Sequence, residues 1–179
     1  AGNCSAVVTW TVPTESDNCA VTSFTSTQNP GDTFDVGTTT VTYTAEDEAG
    51  NQTTMSFDVV VTDNEIPVIV GTPANITQTA EAGTCGAAVS WTAATATDNC
   101  GVASISPDYN SGDTFPVGTT TVTYTATDIH GNTTTSTFDI TVTDDEDPTL
   151  YNVPSDITQT ADAGQCGAVV EWEYYDALT

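Results

Sequence analysis

Several short stretches of the chain alternate apolar and threonine positions with a period of two. Val122, Tyr124 and Ala126 fall on one face, while Thr121, Thr123, Thr125 and Thr127 fall on the other. Phe138, Ile140 and Val142 alternate with Thr137, Asp139, Thr141 and Thr143, and Val89 and Trp91 alternate with Ala88, Ser90 and Thr92. This is the pattern of half-buried antiparallel strands, apolar inward and threonine outward. Between two of these stretches, Asp128-Ile129-His130-Gly131-Asn132 predicts a hairpin turn whose Gly and Asn are free to take positive φ, and Asp47-Glu48-Ala49-Gly50-Asn51 mirrors it. Gly83, Gly112 and Gly118 mark further turns, and no stretch is helical in pattern.

The same elements return at a fixed distance. Cys4, Cys85 and Cys166 are each 81 residues apart, as are Trp10, Trp91 and Trp172. Residues 1–81 laid over 82–162 need no gap and share 46 identities in 81 positions. The segment Asp63-Asn64-Glu65-Ile66-Pro67 recurs as Asp144-Asp145-Glu146-Asp147-Pro148; its charge and its Pro give it linker chemistry. The expected organisation is a partial repeat over 1–62, a complete repeat over 63–143 and the start of a third over 144–179, so that both ends fall inside repeats. Six or seven short strands per repeat predict an all-β fold of tandem immunoglobulin-like antiparallel β-sandwiches. Domains of this size bury only about 60–65% of their surface and benefit from staples.

Composition narrows the functional classes. The 179 residues contain no Lys and no Arg against 25 Asp plus Glu and one His, a formal charge of −25. Nothing can neutralise phosphates, so no nucleic-acid partner is expected, and anionic membrane surfaces repel the chain. Phosphoryl transfer that relies on Arg or Lys clamps, and Schiff-base chemistry, are excluded. No apolar run approaches the length of about 18 residues needed to span a bilayer, so direct membrane insertion is not expected. Threonine supplies 39 residues, in keeping with strands. No Ser–His pairing recurs that would make a nucleophile with its base, and the chain is not expected to be an enzyme.

The residues also resemble a known family. Asp-x-Glu-x-Pro, Val89-Ser90-Trp91, Asp98-Asn99-Cys100, the run Gly112-Asp113-Thr114-Phe115-Pro116-Val117-Gly118, the segment Thr119 to Asp128, and Gly131-Asn132 are similar to the hyalin-repeat (HYR) domain. The resemblance covers the whole chain. It implies an immunoglobulin-like sandwich in secreted or cell-surface adhesive or fibre proteins, often in long arrays on bacterial surfaces. One departure stands out. Many members carry a Cys before the Pro of the first strand and another near the final Phe, whereas here those places hold Thr72 and Val153, and Met55 and Ser136.

The remaining cysteines suggest a staple. Cys4 and Cys19 are 15 apart, and so are Cys85 and Cys100. The expectation is a bridge within each repeat, with Cys166 paired beyond Thr179. Closing such a loop stabilises by roughly 3 kcal/mol in the entropy model, and disulfides imply an oxidising, extracellular compartment. Buried free cysteines are the alternative; zinc fits poorly, because two Cys per repeat without His leave its tetrahedron unfilled.

The acidic residues recur in three groups: the linker (Asp63 and Glu65, then Asp144, Asp145, Glu146 and Asp147), the Asp-Asn-Cys loop (Asp17 and Asp98) and the hairpin turn (Asp47 and Asp128). Carboxylates with backbone carbonyls and an Asn suit Ca²⁺, which extracellular modules bind at roughly 10⁻⁴–10⁻³ M. The expectation is calcium at the repeat junctions, with solvated turn-capping acids as the plain alternative. One conflict attends it. If Cys100 bonds Cys85, Asp98 sits at the opposite end of the sandwich from Asp128.

Other signals are weaker. The threonine faces are like the regular arrays of ice-binding proteins but are typical of solvent-facing strands. His130 reads as a lone surface residue, since Ala49 stands in its place one repeat earlier. Asn3, Asn51, Asn75 and Asn132 open N-glycosylation sequons, which a Thr-rich chain also produces by accident. The leading expectation is therefore a structural segment of an extracellular fibre, stalk or adhesin. Its partners are neighbouring repeats of the same chain, and like chains in a filament or bundle. The alternative is an adhesin module that recognises glycan or a protein through its loops, with Ser106–Ser111 the most divergent loop between the repeats.

Overall fold

The computed structural model describes residues 2–171. Its contacts divide the chain into two compact units, one ending at Asp145 and the other beginning at Glu146.

The first unit holds two sandwiches. In the earlier repeat the strands are β1 (Ser5–Val7), β2 (Val21–Ser26), β3 (Thr33–Asp35), β4 (Gly37–Asp47) and β5 (Gln52–Val61). The later repeat comprises β6 (Val68–Val70), β7 (Ile76–Thr79), β8 (Gly86–Ala88), β9 (Thr95–Thr97), β10 (Val102–Pro107), β11 (Thr114–Pro116), β12 (Gly118–Asp128) and β13 (Thr133–Thr143). The fold is all-β and immunoglobulin-like. The complete repeat uses eight strands rather than six or seven, because its opening segment is broken into β6 and β7, which join different sheets. The main sheet has the order β10-β12-β13-β7, with β7 parallel to β13 and the other pairs antiparallel; β11-β8 and β6-β9 form the small sheets. The earlier repeat has the matching sheets β2-β4-β5 and β1-β3.

The period of two sets the core. Val122, Tyr124, Ala126, Phe138, Ile140, Val142 and Val89 are all buried. Trp91 lies edge-on to Phe138 with ring centroids 5.3 Å apart and donates its Nε1–H to Tyr124 Oη at 2.9 Å. Trp10 repeats the bond to Tyr43 at 2.8 Å. An indole buried beside a phenol loses hydration at its N–H, and this bond replaces it. The hairpin forms as its residues require. Gly131 (φ 93°) and Gly50 (φ 85°) take the left-handed conformation, whereas Asn51 and Asn132 do not and serve through their amides instead.

The two repeats differ beside their last strand. Phe138 is 3% exposed, whereas its counterpart Phe57 is 40% exposed, and no described strand lies beside β5 as β7 lies beside β13. Within 63–81, Thr72 Oγ1 meets Ser136 Oγ at 2.8 Å, so the two places that carry cysteines in many resembling sequences face each other here as a hydroxyl pair.

The second unit carries no strand among residues 146–171, although one turn recurs. Asp162 N donates to Gly167 O and Gln165 N to Asp162 O, as Glu81 N donates to Gly86 O and Thr84 N to Glu81 O. Trp172, the third member of the tryptophan series, lies outside the described residues.

Candidate functional site

The cysteine pairing differs from the one expected. Cys4 bonds Cys100, across the junction between the repeats and over a sequence separation of 96, with the Cα atoms 4.7 Å apart. Neither Cys4–Cys19 nor Cys85–Cys100 forms; Cys19, Cys85 and Cys166 are free and exposed. The reason is strand length. Cys85 accepts the Val117 amide just before β12 begins, while Cys100 lies by the end of β12, where Val102 pairs with Asp128. The 11 residues of β12 separate the two ends by roughly 33 Å at the strand rise per residue, and a disulfide needs Cα atoms within about 7 Å. Fifteen residues of sequence here cross the whole sandwich.

This pairing removes the conflict over Asp98. Its loop sits at the same end as the β12–β13 turn, because Ile129 N donates to Gly101 O. Three segments of the later repeat therefore converge on the junction: the linker at Asp63, the loop Asp98–Gly101 and the turn Asp128–Asn132. The earlier repeat contributes Asn3 and Cys4, and Asn99 Nδ2 donates to Asn3 O at 3.3 Å.

Each group has its own environment. Asp128 is 1% exposed and organises its turn. Its Oδ1 accepts the amides of His130 and Asn132, each at 2.8 Å, and its Oδ2 accepts Asn132 Nδ2 at 2.7 Å. Burial pushes its pKa up, but the bonds from Asn132, His130 and Gly131 outweigh it and hold the carboxyl below the ordinary 3.8. Asp47 makes the same turn in the earlier repeat and is likewise lowered, first by the Asn51 side chain. Since Asn51 and Asn132 spend their side-chain amides on these bonds, a sugar on either would compete with its turn. Asn132 Nδ2 also reaches Asp63 O at 3.2 Å, which ties the turn to the linker.

Asp63 accepts the Glu65 amide on Oδ1 and meets His130 Nδ1 through Oδ2 at 3.2 Å, the one ion-pair geometry printed among the described side chains. His130 is thus a junction residue rather than a lone surface one. Nothing in the sequence signalled this, because the linker precedes it by 67 positions. Asp98 Oδ1 caps the loop through the amides of Cys100 (2.9 Å) and Gly101 (3.1 Å). Asp98 Oδ2 and Asn99 Oδ1 are buried and accept no hydrogen bond. A ligand atom of Asp98 lies within 4.8 Å of one of Asp63, with the Cys100 sulfur in the same cluster. The sulfur is committed to its bridge, so the donors left over are oxygens, which suit a hard cation and not zinc.

The other candidate residues fall elsewhere. Glu65 accepts the Gly2 amide at 2.9 Å on the outer side of the junction. Asp17 and Asp47 line a common hollow at the corresponding end of the earlier repeat. Asp144, Asp145, Glu146 and Asp147 follow β13 and are exposed. The divergent loop is tied to its own scaffold: Asp108 Oδ1 accepts the Thr123 amide and Ser111 bonds both the amide and the carbonyl of Trp91. In the earlier repeat Thr27 Oγ1 accepts the Thr42 amide instead.

Comparison with known proteins matches residues 1–61 and 62–142 to the HYR domain. Hyalin of Lytechinus variegatus is 45% identical over 175 residues, covering 94% of this chain and 33% of the relative. Hyalin of Strongylocentrotus purpuratus is 42% identical over 176 residues, covering 94% of this chain and 15% of the relative. The Rattus norvegicus protein named "Sushi, von Willebrand factor type A, EGF and pentraxin domain-containing protein 1" is 36% identical over 136 residues, covering 72% of this chain and 4% of the relative. The chain therefore spans no more than 33% of the length of these relatives. All three are animal proteins, and they lend no support to a bacterial setting.

Proposed function

The chain belongs to the HYR domain family, and from that membership we propose that it is a structural segment of an extracellular, adhesion-type protein, stiffened at its repeat junction by a calcium ion. Its task is reach and persistence, with no chemical turnover. Its partners are the neighbouring repeats of its own chain and, once the charge is screened, like chains in a bundle. The observation that carries the calcium reading is the pair of buried, unpartnered oxygens, Asp98 Oδ2 and Asn99 Oδ1, beside Asp63 at the junction. A buried acceptor without a donor costs about 1–3 kcal/mol, and a cation bound there would relieve both atoms together. Support for the structural reading comes from the junction itself, where a disulfide, the linker and the Asn99 and Asn132 bonds tie two sandwiches together. Loop recognition of glycan has no comparable support, because the divergent residues bond their own scaffold.

The test is calorimetric titration with CaCl₂ together with thermal melts. With a dissociation constant of roughly 10⁻⁴–10⁻³ M, 10 mM Ca²⁺ stabilises the folded chain by about 1.4–2.7 kcal/mol through mass action. Asp98→Asn should abolish that gain while leaving the calcium-free melt near wild type. Absence of both heat and any melting shift in the wild-type chain would overturn the calcium reading.

A further inference from the structure

We infer that the cysteines of this repeat form an inter-repeat ladder, in which the first cysteine of each repeat bonds the Asp-Asn-Cys cysteine of the repeat that follows it. The observed bridge joins residues 96 apart, one period of 81 plus the within-repeat spacing of 15. Both kinds of cysteine hold the same local geometry in both repeats. Cys4 O accepts the Val36 amide at 3.2 Å, and Cys85 O accepts the Val117 amide at 3.0 Å. Cys19 N donates to Asp17 Oδ1 at 2.8 Å, and Cys100 N to Asp98 Oδ1 at 2.9 Å. Each of these sulfurs also accepts from the preceding Asn, at 3.5 Å for Cys19 and 3.4 Å for Cys100. Cys85 is thus presented at the far end of its sandwich as Cys4 is at the end of its own, and Cys19 is presented at the near end as Cys100 is.

The length of β12 forbids closure of Cys85 onto Cys100 inside a folded repeat, so Cys85 is left for a following repeat and Cys19 for a preceding one. Each bridge forms when two thiols give up two protons and two electrons to a small-molecule disulfide, which leaves as two thiols. Every junction is then tied twice, by the linker and by sulfur. This property does not depend on calcium.

The experiment inserts a second copy of residues 63–143 directly after Thr143 and leaves two cysteines per chain, the others being serine. One chain keeps Cys85 of the first copy and the Asp-Asn-Cys cysteine of the inserted copy. The control keeps Cys85 and Cys100 of the same copy. After equilibration with oxidised glutathione, the first chain should fall from two titratable thiols to none while remaining a monomer, and the control should keep both. Tryptophan fluorescence and near-ultraviolet circular dichroism check that each chain is folded. Closure in the control, or open thiols in a folded first chain, overturns the ladder.

Discussion

Opening the Cys4–Cys100 bridge should cost more than a short-loop staple would, and the two single substitutions should cost the same. Cys4→Ser and Cys100→Ser each release one loop of 96 residues, worth about 4.7 kcal/mol if both repeats unfold together. If the later repeat unfolds alone, the released segment runs from Asp63 to Cys100 and the loss is about 3.8 kcal/mol by the same entropy relation. Bridges within each repeat would close only 15 residues and contribute roughly 3 kcal/mol apiece. The sharper criterion is additivity. Because both substitutions remove a single bond, the double variant should be no less stable than either single variant. Equilibrium unfolding in guanidinium chloride, followed by tryptophan fluorescence with the exposed thiols alkylated beforehand, reads all four chains. Losses that add in the double variant would mean that the two cysteines serve different bridges, and the strand-length reasoning would fail with them.

Trp91→Phe keeps a ring against Phe115 and Phe138 but strips Tyr124 of its donor; because Tyr124 is only 2% exposed, the loss should be about 1–2 kcal/mol in denaturant unfolding, and no loss would deny the bond a role. Asn132→Ala removes the donor that helps hold Asp128 below its ordinary pKa of 3.8. A lowered carboxyl stabilises the fold above its unfolded pKa and loses that contribution as the pH falls through its folded pKa. The melting-temperature gap between wild type and Asn132→Ala should therefore be full at pH 7, begin to close below pH 3.8 and be smallest at the lowest pH; a gap that widens on acidification refutes the assignment. In the double variant Thr72→Cys/Ser136→Cys, the positions that now meet as hydroxyls should oxidise to a new bridge. Closing 64 residues stabilises by about 4 kcal/mol, and thiols that stay open under oxidised glutathione would show that the side chains do not approach as described.

Much of the architecture is legible in the sequence because it follows from local periodicity. The alternation around Tyr124 and Phe138 names the buried face, Gly131 places the turn, and the 81-residue period makes one repeat a guide to the next. The cysteine pairing is not local, and there the reading went astray. A separation of 15 residues looks short, yet that segment carries the chain from one end of the sandwich to the other, past β8 and β9. The contradiction over Asp98 was the available warning. It vanishes once Cys100 is released from Cys85. His130 was missed for a related reason: its partner Asp63 comes from the linker, which only the folded junction brings against the turn.

The absence of Lys and Arg and the excess of Thr become one feature when the carboxylates are followed to their donors. On the sheet faces Thr40 Oγ1 donates to Asp58 and Thr121 Oγ1 to Asp139, each at 2.7 Å. In the turns the donors are backbone amides and asparagine. Asp32 and Asp113 accept the amides of Asn29 and Asn110, and Asp47 and Asp128 accept from Asn51 and Asn132. Hydroxyl and amide donors satisfy an anion without neutralising it, so the chain keeps its charge and the repulsion that opposes lateral strand pairing. Donors run short at the junction, where Asp98 Oδ2 and Asn99 Oδ1 are buried with none and His130 is the sole cationic side chain that the sequence can offer Asp63. The earlier repeat carries Ala49 at that position, so its hollow at Asp17 and Asp47 lacks even this. A chain that places its unsatisfied oxygens where two sandwiches meet, and sends a disulfide across the same gap, concentrates its cohesion at the joints; the joints are then the points at which cations and thiol reagents change its stiffness.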